Sequence, residues 1–185
     1  MDQFDRLCCI SSTQVPFHIK RQLSIALGIS DSRIRIIKPR VGGGFGGKQT
    51  SVTEIYPGFV TLKTGNPSIL VFDREETFEA SNSRHQMKVK VKIGAKKDGT
   101  IEACDIYALS DQGAYGYHAF TTLNLVGNKT LPLYSRMRAA RFFGQVVYTN
   151  KLPGGAFRGY GAVQGTFALE SMVNKLAKEL NMDPV

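Results

Sequence analysis

The sequence predicts an α+β protein in which mixed and antiparallel sheets carry helices on one side. Three observations lead to this fold class. Apolar residues alternate with lysines over residues 87–93 and are followed by Asp98-Gly99, which is typical of an antiparallel hairpin. Apolar residues recur at helical spacing over residues 16–27 and again over about 162–180. Strands and helices do not alternate regularly, so a fully parallel sheet is not expected.

The first elements are a strand, a helix and a second strand. Residues 6–11 are short and apolar, as in a buried strand. Ser12 and Thr13 offer N-cap side chains, Pro16 suits a first helical turn, and Gly28 is a natural C-cap. We therefore expect a helix that ends at Gly28.

Residues 33–40 alternate arginine and isoleucine, which predicts a strand with one wet face that runs into a glycine-rich loop. Residues 51–63 look helical, although Pro57-Gly58 should kink or break that helix. A stop at residues 63–67 precedes a predicted strand over 68–73.

The remaining chain begins with the hairpin, whose Asp98-Gly99 favours a two-residue turn, and residues 101–109 form its returning strand. Residues 112–117 are glycine-rich and irregular, and residues 118–135 show no pattern that defines an element. Residues 141–149 predict another strand. A second glycine-rich turn, residues 153–161, opens the long helix, whose predicted apolar stripe includes Phe167 and Leu169. We expect two units, about 1–80 and 81–185.

Charge and composition limit the classes of partner. The net charge of +9 and pI of about 9.6 would suit nucleic acid. However, many basic residues occupy alternate strand positions, as a solvated face requires, namely Arg33 and Arg35, and Lys88, Lys90 and Lys92. A basic interface with another subunit remains an alternative. No nucleic-acid motif accompanies the charge, and we expect no nucleic-acid partner.

The cellular location follows from two further features. No segment approaches the ~18 consecutive apolar residues of a membrane span, and no signal peptide is recognisable, which predicts a cytoplasmic protein with no membrane partner. The three cysteines, Cys8, Cys9 and Cys104, form no C-x-x-C pair, so buried reduced thiols are expected. The three histidines share no metal-ligand spacing and are expected to be ordinary surface or core residues.

The loop Gly42–Lys48 contains two overlapping phosphate-binding patterns. As G-x-x-x-x-G-K it lacks the serine or threonine that a Walker loop needs for magnesium, because Gln49 follows the lysine. As G-x-G-x-x-G it lacks a clear βαβ context, although Asp73 follows. Six residues with five glycines can still bring backbone N–H groups close to an anion or polar cofactor. The alternative is a tight structural crossover.

The second glycine-rich turn carries Phe157 and Arg158 directly before a helix. A guanidinium and an aromatic ring are thereby held on a backbone with few side chains to block access. Two such loops, each expected to precede a helix, suggest that they converge on one site.

Three motifs together resemble the molybdenum-binding subunit of the xanthine dehydrogenase and aldehyde oxidase family. They are S-T-Q at 12–14, G-G-G-F-G-G-K at 42–48, and A-F-R-G-Y-G at 156–161 followed by Gln164. The resemblance implies that the chain is a partial molybdopterin-binding domain of a longer subunit. It also implies oxidative hydroxylation of an aldehyde or aromatic N-heterocycle, with water as oxygen source, at molybdenum held by a pyranopterin dithiolene, either as molybdopterin or as its dinucleotide form.

The resemblance assigns roles to particular residues. Gln14 is similar to a glutamine that hydrogen-bonds near an oxo ligand of the metal. Arg158 is similar to an arginine that orients substrate and stabilises negative charge developing on it. The cofactor-binding loop contributes backbone N–H groups from Gly43, Gly44, Phe45 and Gly46, and no residue of the chain ligates the metal directly.

Gln49 takes the position of a substrate-binding glutamate in purine-oxidising members. A neutral amide there puts xanthine in doubt and leaves Arg158 less compensated, which favours an anionic substrate such as an aromatic carboxylate. The general-base glutamate is expected outside this chain, so neither Glu54 nor Glu170 is assigned that role.

The resemblance also implies partners. Iron–sulfur clusters and FAD are expected on other subunits or domains, since three cysteines cannot ligate two clusters. The isolated chain is expected to be inactive without the rest of the molybdenum subunit. Two other functions remain open: a non-catalytic binding or assembly lobe, and a nucleotide-phosphate-binding module.

Overall fold

The computed structural model describes residues 1–184, which divide into two compact units. The first unit spans Met1–Asn82 and the second begins at Ser83. The first unit has one two-stranded sheet, the second has a three-stranded and a two-stranded sheet, and each unit has its own helices. The fold is α+β, as predicted.

The first unit is built on two short parallel strands, β1 (Leu7–Ile10) and β2 (Ile34–Ile37), joined through α1 (Pro16–Leu27) and a 3-10 turn at Asp31–Arg33. A second helix, α2 (Ile55–Thr64), packs against β1 and α1. The core of the unit consists of Ile19, Leu23 and Ile34. Strands β1 and β2 are parallel, so they end at the same edge of the sheet. The loop after β1 and the loop after β2 therefore lie next to each other.

Helix α1 ends as predicted but begins differently. Gly28 adopts a left-handed conformation, with φ of 65°, and its N–H donates to the carbonyl of Ser24. The helix starts at Pro16 with Val15 at the N-cap, so the prediction that Ser12 or Thr13 caps it was wrong. The Thr13 hydroxyl instead accepts from the N–H of Val15 at 3.0 Å and donates to the carbonyl of Lys48 at 3.1 Å. It therefore connects the segment before α1 to the glycine-rich loop.

Pro57-Gly58 was predicted to kink or break the helix, but α2 continues through both residues. The helix begins at Ile55, so Pro57 lies in its first turn, where backbone N–H groups have no intrahelical acceptor to lose. The predicted strand over 68–73 was also wrong. Those residues form no strand, and a short helix α3 (Arg74–Ala80) follows, with a capping box between Asp73 and Glu76.

The second unit contains a three-stranded sheet in the order β4 (Gln86–Ala95), β5 (Ile101–Asp111), β6 (Ala139–Val147), preceded by a short strand β3 (Ser83–Arg84). Strands β4 and β5 are antiparallel and form the predicted hairpin. The turn is longer than the predicted two residues: Lys96–Thr100 connect the strands, with Gly99 at φ of 86°. The three lysines predicted on the solvated face of β4 are exposed.

Strand β6 runs parallel to β5 because a helix crosses between them. This helix, α4 (Ala119–Thr130), was missed in a region without a clear pattern. Its buried face contains the polar Thr122 and Thr130 along with Leu123 and Val126. The sequence therefore lacks the apolar periodicity that would predict this helix. The last helix, α5 (Ala162–Glu179), confirms the prediction for 162–180.

Helices α4 and α5 cover one face of the sheet of the second unit. The buried cluster there combines residues of all these elements: Val91, Cys104, Ile106, Ala108, Leu123, Val126 and Leu169. Phe167, which was predicted in the apolar stripe of α5, is 75% exposed, because the buried side of the helix contains Gly165 and Leu169 instead. A β-carbon on Gly165 would lie 2.6 Å from the carbonyl oxygen of Val126, so α4 and α5 approach each other closely there.

A final short strand, β7 (Gly154–Gly155), pairs in parallel with β3. This pairing places Arg84 beside Gly155, immediately before the turn that carries Arg158. No helix within residues 1–184 has the length and apolar character needed to cross a membrane.

Candidate functional site

The side chain of Gln14 is bound to the glycine-rich loop of the first unit. Its Oε1 accepts hydrogen bonds from the backbone N–H groups of Gly46 at 3.0 Å and Lys48 at 3.2 Å. The backbone N–H of Gln14 in turn donates to the carbonyl of Lys48 at 2.8 Å. Because two N–H donors select the amide oxygen, the Nε2 group of Gln14 must point elsewhere as a donor. Within residues 1–184, no hydrogen bond occupies that nitrogen.

The loop itself is a compact turn with successive left-handed residues. Phe45 and Gly46 have φ of 48° and 94°, and the N–H of Gly47 donates to the carbonyl of Gly44 at 2.9 Å. The N–H groups of Gly43 and Gly44 meet no acceptor in the part of the chain that the structure describes. Of the four loop residues predicted to bind cofactor, Gly43 and Gly44 therefore keep N–H donors for a ligand, whereas the N–H of Gly46 is donated to Gln14.

Two glycines of the loop have a specific steric requirement. A β-carbon on Gly44 would lie 2.3 Å from Oε1 of Gln14, and one on Gly43 would lie 2.7 Å from the ring of Phe45. Gly42 has no atom within 4 Å of such a β-carbon. A side chain at position 43 or 44 would therefore displace the ring of Phe45 or the side chain of Gln14, whereas position 42 has open space.

The expectation that the first loop directly precedes a helix was wrong, because α2 begins only at Ile55. Lys48 does not present a free ammonium group either, since its Nζ donates to the hydroxyl of Ser12 at 2.8 Å. Gln49 is half-buried, and its N–H donates to the carbonyl of Gly46 at 3.2 Å. The loop therefore resembles neither a Walker loop with its lysine aimed at a phosphate nor a helix-start anion site.

A cavity of about 760 Å³ lies elsewhere in the first unit, along β1, and includes only Gly47 and Lys48 of the glycine-rich loop. Glu54 lines it, but both carboxylate oxygens are occupied. Oε1 accepts from the hydroxyl of Ser11 at 2.6 Å, and Oε2 accepts from the hydroxyl of Ser51 and from two backbone N–H groups, those of residues 52 and 53. Glu54 thus fixes the chain before α2. The cavity does not coincide with the predicted cofactor residues.

In the second unit, the predicted arginine lies on an exposed turn seated against α4. Phe157 and Arg158 are both exposed, and the N–H of Tyr160 donates to the carbonyl of Phe157 at 2.7 Å. Gly161, with φ of 95°, would place a β-carbon 2.0 Å from the carbonyl oxygen of Thr122. Helix α5 begins immediately afterwards at Ala162, as predicted.

Arg84 contacts this turn at three points, and sequence analysis missed it. Its NH2 donates to the carbonyl of Arg158 at 2.7 Å, and its NH1 donates to Oε1 of Gln164 at 3.4 Å. Its guanidinium carbon lies 4.6 Å from the centre of the Phe157 ring, within the range of a cation–π interaction. The sequence gives no signal for these contacts, because the partners are more than 70 residues apart.

Two histidines flank the same turn. His85 is buried, and burial lowers its pKa, which favours a neutral imidazole. His118 Nδ1 and the hydroxyl of Tyr160 lie 2.5 Å apart, and burial raises the pKa of Tyr160.

Among residues 1–184, no group of three or more histidine, cysteine, aspartate or glutamate side chains could hold a metal ion.

The predicted site residues therefore fall into two groups. The first group lies in the first unit: Gly43, Gly44, Phe45 and Gly46 belong to the glycine-rich loop, Gln49 follows it, and the side chain of Gln14 is bound to it. Arg158 lies in the second unit with Phe157 and Arg84. Convergence of the two loops on one ligand stays a prediction.

Comparison with known proteins gives a consistent result. Residues 1–185 match the family described as the molybdopterin cofactor-binding domain. The chain is 41% identical over 179 residues to the probable hypoxanthine oxidase XdhD of Escherichia coli K12, covering 97% of this chain and 19% of that protein. It is 40% identical over 186 residues to the putative xanthine dehydrogenase molybdenum-binding subunit XdhA of the same strain, covering 100% of this chain and 25% of that protein.

A solved structure shows the same fold. The aldehyde oxidoreductase of Desulfovibrio gigas superimposes with a TM-score of 0.90 at 28% identity, over 100% of this chain and 20% of that enzyme. This chain thus spans only about one fifth to one quarter of the length of these relatives.

Proposed function

Because this chain belongs to the molybdopterin cofactor-binding domain family, we propose that it forms part of the molybdenum subunit of a xanthine dehydrogenase or aldehyde oxidase-type hydroxylase. The substrate class is an aldehyde or an aromatic N-heterocycle, and water supplies the oxygen atom. The observation that carries the proposal is the orientation of Gln14. Its amide oxygen is bound to the glycine-rich loop, which leaves Nε2 as a donor, and the same loop has two unused backbone N–H groups, those of Gly43 and Gly44.

These residues fit a molybdenum–pterin group. Its oxygen-rich face needs fixed hydrogen-bond donors, and backbone N–H groups on a side-chain-free loop can approach such a group closely. Gly43, Gly44 and Nε2 of Gln14 would hold it, with Phe45 beside them. When bound, the group supplies the redox chemistry that oxidises the substrate carbon. Iron–sulfur and FAD partners would carry the electrons away.

Arg158 supplies a cation for the substrate. It lies on a turn whose backbone is seated against α4 at Gly161, and a guanidinium group there can orient a polar or anionic substrate. A fixed donor aimed at negative charge that develops in the transition state is worth about 3 kcal/mol in a site that excludes water. We therefore assign Arg158 a catalytic role and Gln14 a role beside the cofactor.

Gln49 is the proposed determinant of substrate charge. It is a half-buried neutral amide directly after the glycine-rich loop, so it brings no negative charge of its own to the substrate, and a carboxylate on the substrate would then be favoured. Turnover of neutral purines by the full-length protein, with no improvement in a Gln49→Glu variant, would show that Gln49 does not set this preference.

The test of the proposed function is the molybdenum and pterin content of the full-length parent, purified with its partner subunits. We expect about one molybdenum per parent chain, as a single-cofactor subunit requires. Arg158→Ala should reduce kcat/KM by about 100-fold or more without releasing molybdenum. Arg158→Lys is the charge-matched comparison, because it keeps the cation and loses the planar donor fork.

A non-catalytic assembly lobe is the competing function, and one observation favours it. Ile69 and Val71, beside the cavity along β1, are 87% and 76% exposed, as in a surface that another segment covers. An intact, functional complex without molybdenum and insensitive to Arg158→Ala would establish that function. A nucleotide-phosphate site would instead require Lys48, which is bound to Ser12.

A further inference from the structure

We infer that Arg84 is a positioning residue that fixes the turn carrying Arg158, so that the Arg158 guanidinium is preorganised for substrate. The inference rests on the proposed function of Arg158 and extends it to a residue that no motif includes. Arg84 itself contacts neither substrate nor cofactor in this proposal. It acts through the backbone and the ring of the turn.

Three contacts on one guanidinium carry the inference. One edge donates to the carbonyl of Arg158 at 2.7 Å, a short distance typical of a charge-assisted bond. Another nitrogen reaches Gln164 on the first turn of α5 at 3.4 Å. The face of the same group lies over the ring of Phe157 at 4.6 Å. A planar cation with donors at its edges and an attractive face can make all three contacts at once.

Arg84 is itself held in place by backbone pairing. Strand β3 pairs in register with β7, so that Arg84 lies opposite Gly155, three residues before Arg158. The side chain of Gln164 donates to the carbonyl of His85 at 3.3 Å, which ties the residue after Arg84 to the same helix. Arg84 and the helix that it contacts are therefore both held in place by backbone pairing and hydrogen bonds within the second unit.

The turn needs such an anchor because it is exposed and conformationally demanding. Phe157 and Arg158 are exposed, and the next three residues, Gly159, Tyr160 and Gly161, all have positive φ. A turn with this backbone is not held by regular secondary structure, and a displacement of about 1 Å at a catalytic group can cost 100-fold in rate. Fixing the Arg158 carbonyl and the Phe157 ring restricts the residue from both sides.

The decisive experiment is a double-mutant cycle between Arg84 and Arg158 in the full-length holoenzyme. Arg84→Met keeps an unbranched apolar stem and removes all three contacts. We expect it to lower kcat/KM by about 10- to 100-fold while molybdenum content stays unchanged. In the Arg158→Ala background the same substitution should change kcat/KM by less than about twofold, because its effect passes through Arg158. Equal losses in both backgrounds would overturn the inference.

Hydrogen exchange supplies a readout that does not depend on activity. In Arg84→Met, amides of residues 156–161 should exchange faster, with no change at residues 101–111 of β5. Arg84→Lys provides a milder variant should the first fold poorly; it keeps the charge but cannot make the edge and face contacts together, so intermediate exchange and activity are expected. Unchanged exchange at 156–161 in both variants would show that Arg84 does not hold the turn.

Arg138→Met is the matched control, because Arg138 is an exposed arginine of the same unit that pairs with Glu102 away from the turn. It should alter neither kcat/KM nor exchange at 156–161. If Arg158→Ala alone leaves turnover intact, the proposed function fails, whereas the exchange measurement still reports whether Arg84 holds the turn.

Discussion

Gln14 and Lys48 bind each other in both directions: the N–H of Gln14 donates to the carbonyl of Lys48, and the N–H of Lys48 donates to Oε1 of Gln14. This reciprocal pair joins the segment before α1 to the loop after β2, 34 residues later in the chain. It fixes the glutamine side chain against the loop and determines which end of the amide is left for a ligand.

Replacing Gln14 should separate loop structure from ligand contact. Gln14→Ala removes the acceptor for two partly buried N–H groups, which costs about 1–3 kcal/mol per unsatisfied group. Amide exchange at residues 44–48 should then accelerate and molybdenum content should fall. Gln14→Glu keeps an acceptor for both N–H groups but removes the Nε2 donor, so the loop should stay protected while turnover falls. Loss of loop protection in both variants would argue against a separate role for Nε2.

Alanine at position 44 should be far more damaging than alanine at position 42. A β-carbon on Gly44 would meet Gln14 Oε1 at 2.3 Å and displace it, whereas at Gly42 the space is open. We expect Gly44→Ala to lose most of its molybdenum and activity in the full-length protein, and Gly42→Ala to retain both. Metal analysis and kcat/KM of the two purified variants check this. Similar losses in the pair would mean that backbone freedom, not the space for Gln14, is what the loop requires.

Replacing Gly165 of α5 by alanine should lower the stability of the protein, although glycine-to-alanine substitutions normally stabilise helices. Gly→Ala inside a helix usually gains about 1 kcal/mol. At Gly165, however, the new methyl group would lie 2.3 Å from the Thr130 hydroxyl and 2.6 Å from the Val126 carbonyl oxygen. Gly165→Ala should therefore lower the thermal unfolding temperature, since helix α4 must move away. The control is Ser171→Ala, at an exposed position of the same helix. It should leave the thermal unfolding temperature unchanged within experimental error. A higher melting temperature for Gly165→Ala would disprove the close approach.

The Cys9 thiol should react slowly with alkylating agents. Burial, followed by the nearby charge of Glu54, raises its pKa to about 11, so well under 1% is thiolate at pH 8.5. Its alkylation rate in the folded chain should rise about tenfold per pH unit well beyond pH 9, as expected from the thiolate fraction. Mass spectrometry of iodoacetamide-treated peptides measures this, with the urea-unfolded chain as the reference. A plateau near pH 9 in the folded chain would contradict the shift.

Several elements could be predicted because their signals are local. The end of α1 at Gly28, the β4–β5 hairpin and the span of α5 depend on a C-cap glycine, a two-residue alternation and a helical period. The motifs that identified the family are likewise short and contiguous. Their glycines are informative because close approach and positive φ exclude other side chains.

Other features could not be predicted because they depend on partners distant in sequence. Helix α4 was missed because its buried face includes threonines, whose burial depends on packing against α5. The apolar residues 68–73 predicted a strand, but they form none. Pro57 was misjudged because the position of a proline within a helix depends on where the helix begins.

The sequence by itself determined the fold class, the family and the residue types of the site: a glutamine, two glycine-rich loops and an arginine. Only the tertiary structure decided which partners these residues contact. It turned the oxygen of Gln14 towards the loop, assigned Lys48 to Ser12, and brought Arg84 to the arginine turn. The physical reason is that residue type fixes which hydrogen bonds a group can make, whereas chain folding decides which partners are within reach.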